Sequence, residues 1–279
     1  MTTVEVRVSS QWLRLRESAD AAARSTDLAE RAVGLLDGGG RQAVVHDLGC
    51  GSGSMGRWLA PLIGGPQHWV LHDRDGDLLE VALGSPPVAG ADGAAVTVET
   101  RLDDLTRLGP DDLAGASLVT ASALLDMLTA DELGHVVRSS VDAGCPVLLT
   151  LSVTGGARLT PEDPLDAVLA AAFDDHQRRT TAGRTLLGPD AARTAVGAFE
   201  ALGSRVEVRS SPWLLGADDG ALAVEWLDGW VGAAVEQRPE LAAASADYVA
   251  RRRTDLEHGR LGVTVPHLDL LAVPPGAAT

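Results

Sequence analysis

Residues 44–56 read VVHDLGCGSGSMG: an apolar run, an acid, glycines at alternate positions and the start of a helix. The run AVVHDL (43–48) has the length and β-branched content of a strand. Gly49, Gly51 and Gly53 then turn the chain sharply, because a backbone without Cβ reaches left-handed conformations and lets a ligand lie against it. A helix beginning near Ser54 aims unpaired N–H groups and the positive end of its dipole at the turn, which suits a carboxylate or a phosphate. Asp47, at the strand end, is placed to accept from an ammonium group. Gly51-x-Gly53-x-x-Gly56 also satisfies the dinucleotide spacing GxGxxG, whose acid follows about 20 residues on. Spacing alone leaves both ligand classes open.

On either side of this turn the pattern repeats. HWVLHD (68–73), AAVTVET (94–100), ASLVTAS (116–122) and PVLLTLSV (146–153) read as strands, with helices at 76–83 and 128–144 and a Pro/Gly loop at 84–93. This alternation implies βαβ units and a mostly parallel sheet. Upstream, 10–36 reads as a helix with apolar Trp12, Leu13, Leu15, Ala19, Ala22, Ala23, Leu28, Ala32 and Leu35, ended by Gly38-Gly39-Gly40. Downstream, helices at 163–180 and 189–202 lead to a strand in SRVEVRSSPWLL (204–215). Two helices broken at Pro239 fill 218–258, and GVTVPHLDLLAVP (262–274) is the last strand. With no βαβ spacing before it, that strand is expected to run antiparallel at the sheet edge. Internal repeats and low-complexity linkers are not seen.

The 279 residues, 45% hydrophobic and 22% charged, have a globular balance. The net charge is −16, and all 23 basic residues are Arg. So negative a field repels polyanions and argues against nucleic acid or an anionic membrane as partner. The Arg, Ala and Gly bias looks like a GC-rich coding background. No apolar run reaches the roughly 20 residues of a membrane span, and MTTVEVRVSSQW lacks the pattern of an export signal. We expect a cytoplasmic, bacterial enzyme. Cys50 and Cys145 lie far apart, without metal-ligand spacing, so reduced thiols and no metal are expected.

Taken whole, HDLGCGSG resembles motif I of class I S-adenosylmethionine-dependent methyltransferases, an acid followed by hydrophobic-Gly-x-Gly-x-Gly. The resemblance spans 43–153 and is architectural beyond. It implies a Rossmann-like, mostly parallel seven-stranded sheet with an antiparallel last strand, an N-terminal lid helix and a helical insertion before the last strand. The chain then reads as one domain: a lid (1–40), a cofactor-binding half (41–153) and an acceptor-side half (154–279) capped by 218–258. The implied cofactor is S-adenosylmethionine, with S-adenosylhomocysteine as product. Asp73, ending the second strand, corresponds to the acid that bridges the ribose hydroxyls, since a carboxylate accepts two hydrogen bonds at once. Asp103 and Asp104 both fall where the family accepts from the adenine amine, with Leu105 as adenine wall. Ser122 to Leu125 correspond to the segment lining the methyl donor and the acceptor mouth, and Cys50 and Arg74 are expected beside the cofactor. On the N-terminal helix Arg16, Asp20 and Arg24 share a face, as an ion-pair ladder or as a lid with Arg24 on the methionine carboxylate.

For the acceptor, His176 is a candidate base by its near-neutral pKa, against a plain surface histidine. Asp126, after the fourth strand, is a second base or anchor, against a helix cap. Arg178 and Arg179 suit an acidic acceptor or solvent. Trp226 and Trp230, four apart, suit an aromatic pocket or, more ordinarily, core. The function implied is methyl transfer to an O or N atom of a small-molecule acceptor by a monomer or homodimer. The rivals are an NAD(P)-dependent oxidoreductase on the same glycine turn, which lacks a Tyr-x-x-x-Lys here because the chain has no Lys, and a non-catalytic cofactor-binding homologue.

Overall fold

The computed structural model describes residues 8–36 and 41–277, so the glycine run expected to end the first helix lies outside the described residues. The helix expected over 10–36 is two: α1 (Ser10–Ala23) and α2 (Thr26–Gly34). Ser9 caps the first by accepting from Trp12 N (3.1 Å), and Ser25 caps the second by accepting from Leu28 N (3.3 Å). Between them Arg24 leaves the helix with ψ 138°, and the Ser25 N–H donates to buried Asp269 (2.7 Å). A serine N-cap inside a continuous apolar pattern is the local reason for the break.

Strands β1 (Ala43–Leu48), β2 (Gln67–Asp73), β3 (Val96–Leu102), β4 (Leu118–Ser122) and β5 (Val147–Val153) form the parallel part of a seven-stranded sheet. Outside the sheet lie β6 (Arg158–Thr160) and the short hairpin β7 (Thr180–Thr181) with β8 (Arg184–Thr185). Next come β9 (Arg205–Ser210), β10 (Trp213–Leu215), β11 (Gly262–Val265) and β12 (His267–Val273). The large sheet has the order β3-β2-β1-β4-β5-β12-β9, with β12 antiparallel to both of its neighbours. The last strand is thus antiparallel as expected but sits inside the sheet, and β9 takes the edge.

Both late strands expected from the sequence are split, at Pro212 and at Pro266. A proline has no N–H for the ladder, so the pairing stops and the chain changes direction. The segments beyond the breaks form a second, three-stranded sheet, β10-β11-β6.

Helices cover both faces of the large sheet. α5 (Ala130–Asp142) and α7 (Ala191–Ala201) pack on one face around Leu133, Val137, Leu149 and Phe199. α2, α3 (Ser54–Leu59) and α4 (Gly76–Gly84) cover the other around Leu28, Leu59, Trp69 and Leu148. Being buried on both sides, the central strands are almost continuously apolar. The second sheet shares a third core with α1, α6 (Asp166–Gln177), α8 (Gly220–Gln237) and α9 (Ala242–Glu257). Asp269 joins these parts: its buried carboxylate accepts from Ser25 N, Leu151 N (2.7 Å each) and Ser211 Oγ. No helix among the described residues is long and apolar enough to cross a membrane.

Candidate active site

A cavity of about 340 Å³ opens at the carboxyl ends of β1, β2 and β4, where open α/β sheets bind ligands, and α1 lies across it. Its floor is the glycine turn. Gly49, Gly51 and Gly53 have φ of +65°, +54° and +82°, in the left-handed region where a Cβ is costly. A Cβ on Gly49 would stand 2.9 Å from Leu124 Cδ1, and one on Gly51 would stand 3.0 Å from Leu13 Cδ1 and project toward the cavity wall. Asp73 holds the turn closed, accepting from Gly51 N (2.8 Å) and Asp75 N (2.9 Å). Cys50, Arg74, Leu105 and Ser122 also line the cavity. Burial pushes the Cys50 thiol up, away from thiolate. Ala123, beside Ser122, has φ +52°, a strained value for a side chain at the end of β4.

Two buried groups of opposite sign stand beside this floor: Asp47 lines the cavity, and Arg24 lies behind two lining serines, Ser54 and Ser122. Asp47 is 1% exposed; its Oδ1 accepts from Thr120 Oγ1 (2.8 Å), while Oδ2 has no hydrogen-bond partner. Burial pushes its carboxyl up to about 7, against the Thr120 hydrogen bond and the Arg24 charge. Arg24 is 3% exposed, and the helix break turns it inward. Its Nη2 donates to Ser54 Oγ and Ser122 Oγ, each 3.1 Å, whereas Nε and Nη1 have no partner. Burial lowers the Arg24 pKa, while Asp20 and Asp47 raise it. Leaving such groups unsatisfied costs about 1–3 kcal/mol each, more when charged, so the fold holds them ready at some expense of stability.

The two candidate acids after β3 part company. Asp104 lines the cavity, with Oδ1 accepting from Thr106 N (3.0 Å) and Oγ1 (2.7 Å). Asp103 turns away to His72, whose Nδ1 lies 3.0 Å from Asp103 Oδ2. A carboxylate only accepts, so His72 carries its proton on Nδ1, and its Nε2 accepts from His46 Nδ1 at 2.9 Å. Burial holds both imidazoles neutral, taking His46 down to about 4. This chain ties β1, β2 and the end of β3 together on the sheet face opposite Asp47.

On the far side of the cavity Asp126 is half-buried in the turn after β4, and removal from water raises its carboxyl to about 6. Among the described residues, the one side-chain donor near its Oδ2 is the Gln177 amide, at 3.5 Å. Arg16 forms a bidentate pair with Asp20 (2.9–3.2 Å) and lies 4.9 Å over the Trp213 ring, whose Nε1 donates to Asp20. The ladder reading of this helix thus holds for Arg16 and Asp20, while Arg24 lies beyond the helix end. Arg184, from the β7–β8 hairpin, lines the cavity but pairs with Glu132 (2.7 Å).

His176 does not reach the cavity, which corrects the sequence expectation. α6 packs on α8, burying the ring between Glu236 (Nε2 to Oε2, 3.3 Å) and Arg179 (Nδ1 to Nη1, 3.2 Å). Arg178 pairs with Asp190 (2.6 Å) and Arg179 donates to the His176 carbonyl (3.0 Å). Trp226 and Trp230 stack 5.1 Å apart inside the third core, the ordinary reading of that pair. Among the described residues no cluster of His, Cys, Asp and Glu is placed to hold a metal. Sequence reasoning missed Trp12, Leu13, Met127 and Arg184 as lining residues, while Leu124 lies in the segment expected to line the site. Trp12, Arg16 and Asp20 recur every fourth residue, a readable signal for one face of α1; the others carry none.

No family model and no curated protein matches the sequence. Among solved structures the chain is similar to the YcgJ protein from Bacillus subtilis, with a TM-score of 0.50, 12% identity and coverage of 90% of this chain and 99% of that one. Looser likenesses include the apo form of mycolic acid cyclopropane synthase CmaA1, at TM-score 0.46, 13% identity and coverage of 95% and 99%. A SAM-dependent methyltransferase from Geobacter sulfurreducens in complex with S-adenosyl-L-homocysteine gives TM-score 0.40, 18% identity and coverage of 95% and 98%. With seven strands in this order and β12 reversed between β5 and β9, the chain has the Rossmann-like fold of class I methyltransferases.

Proposed function

We propose that the chain is an S-adenosylmethionine-dependent methyltransferase acting on an O or N atom of a small molecule. The observation that carries this reading is the buried pair beside the glycine turn, an unpartnered Asp47 oxygen and two unpartnered Arg24 nitrogens. An α-amino acid end, ammonium and carboxylate together, satisfies both. The pyrophosphate of a dinucleotide would satisfy Arg24 but leave Asp47 facing a like charge. The antiparallel β12 between β5 and β9 also departs from the all-parallel order 3-2-1-4-5-6 of dinucleotide-binding sheets.

In this reading Arg24 holds the methionine carboxylate and Asp47 the ammonium. Asp73 meets the ribose, its oxygens having acceptor capacity beyond the two turn amides. Asp104 and Leu105 take the adenine, and Ser122, Cys50 and Arg74 complete the wall. When bound, the cofactor supplies an electrophilic methyl group on a sulfonium. The chain contributes alignment, with Leu13 on α1 and Leu124 closing on the turn, and exclusion of water. Asp126 is the residue placed to take a proton from the acceptor, since a raised carboxyl is a better base than an exposed one.

The test is calorimetric titration of the protein with S-adenosylmethionine, S-adenosylhomocysteine, NAD and NADP. Micromolar binding of the first two, with no response to the nucleotides, is expected. Binding of NAD or NADP alone overturns the reading, and silence from all four favours a non-catalytic homologue.

A further inference from the structure

Beyond the groups assigned to the donor, the cavity wall is apolar with a few charges. Trp12, Met127 and Leu128 supply the apolar part. The charges are Asp75, which caps α4, and Arg16, Asp20, Arg184 and Asp126. Three of these are already neutralised within the chain. Arg16 and Asp20 hold each other through three contacts, and Arg184 holds both oxygens of Glu132 (2.9 and 2.7 Å). Asp126 differs: no basic side chain among the described residues forms an ion pair with it. Among the described residues the one side-chain donor to it is the Gln177 amide, a long contact on Oδ2, beside its own backbone N–H. Beside it the Gln177 Oε1 is buried without a partner, so this corner offers two acceptor groups and hardly a donor. Arg16 and Arg179 temper the carboxylate from a distance, yet each is engaged elsewhere, on Asp20 and on the His176 carbonyl. An anionic acceptor would meet the Asp126 carboxylate with only those two distant charges to temper it. A cationic one supplies the missing counter-charge and donates hydrogen bonds to it. The net charge of −16 draws cations toward the cavity as well.

We propose that the acceptor is a small primary or secondary amine with an apolar body, its ammonium held by Asp126. The reading rests on the methyltransferase assignment and names its substrate class. The body lies against Trp12 and Met127. Asp126 takes one proton from the ammonium nitrogen onto its carboxylate, which leaves the nitrogen with a lone pair. The proton then passes to solvent.

The experiment is calorimetric binding, independent of turnover. Protein saturated with S-adenosylhomocysteine is titrated with 2-phenylethylamine, 2-phenylethanol and 3-phenylpropionate, three bodies of like size with different end groups. The amine is expected to bind at least tenfold tighter than the other two. Asp126→Asn, close to isosteric, should abolish that preference while keeping native affinity for S-adenosylhomocysteine, which reports that the variant is folded. Tighter binding of the acid or the alcohol overturns the proposal, as does equal amine binding by Asp126→Asn or no amine binding at all. Failure of S-adenosylhomocysteine itself to bind the native protein instead removes the underlying methyltransferase reading, so the two failures are distinct.

Discussion

Replacing Asp47 by Asn separates what this residue does for binding from what it costs the fold. In the unfolded chain its carboxyl titrates near 3.8, and in the folded protein at about 7 because it is buried. Above pH 7 both states are ionised and the folded protein carries the full penalty of a charge kept from water. At about 1.4 kcal/mol per pH unit, the difference amounts to about 4 kcal/mol. As pH falls from 7 toward 3.8 the folded state binds a proton that the unfolded state does not, and the penalty shrinks. Below 3.8 both states are protonated and it vanishes. Asn is neutral throughout, so the ligand-free variant should gain about 1–4 kcal/mol over the native protein at pH 8. The amide has one acceptor, already served by Thr120, and an NH₂ without a partner, which subtracts about 1 kcal/mol at every pH.

The assay is a set of urea midpoints and slopes for both proteins between pH 4.5 and 8, with S-adenosylhomocysteine affinity measured on the same samples. The stability difference should grow with pH in favour of the variant. Affinity should fall about 10- to 100-fold, the worth of one charged hydrogen bond of about 1.5–3 kcal/mol. A stability difference flat in pH would refute the buried, raised carboxyl. A gain in stability with unchanged affinity would remove Asp47 from the ligand's reach.

Three further substitutions test the rest of the proposed donor side. Gly51→Val places a branched side chain at φ +54° with its Cβ 3.0 Å from Leu13 Cδ1, so it should abolish S-adenosylhomocysteine binding and lower the thermal midpoint by several degrees, about 1–3 kcal/mol of strain; native affinity in calorimetry would show that no ligand lies on this turn. Asp104→Ala should weaken the same binding at least tenfold, while Asp103→Ala should leave it within about threefold and cost about 1 kcal/mol of stability through His72. The opposite order of affinities would move the adenine contact to Asp103.

The glycine-turn side of the cavity was open to sequence reading because its geometry constrains residue type. A backbone at φ of +54° to +82° at three alternate positions strongly favours glycine, so Gly49, Gly51 and Gly53 announce the turn without any tertiary knowledge. Asp47, Asp73, Asp104 and Ser122 follow because each stands at or just after the end of a strand, and strand ends can be read from periodicity. Which of Asp103 and Asp104 faces the cavity could not be read that way. It depends on His72, a neighbour on another strand that claims the first of them. The late strands were misjudged for a related reason. Pro212 and Pro266 interrupt runs that otherwise alternate well, and only the second sheet shows where the severed halves go.

The acceptor half has no such backbone signature. Its wall is assembled from α1, the turn after β4 and the β7–β8 hairpin, and no sequence spacing links Arg16 to Asp126 or Arg184. His176 and Asp126 therefore looked alike as candidates. Helix packing separated them, because α8 covers the face of α6 that carries His176 and leaves the turn bearing Asp126 open. The same packing decides the chemistry. A histidine held between Glu236 and Arg179 has both ring nitrogens engaged, whereas a carboxylate with one long contact keeps the capacity to bind and to accept a proton. What separates the two candidates is thus the partner that Asp126 lacks, and that is a property of the assembled cavity.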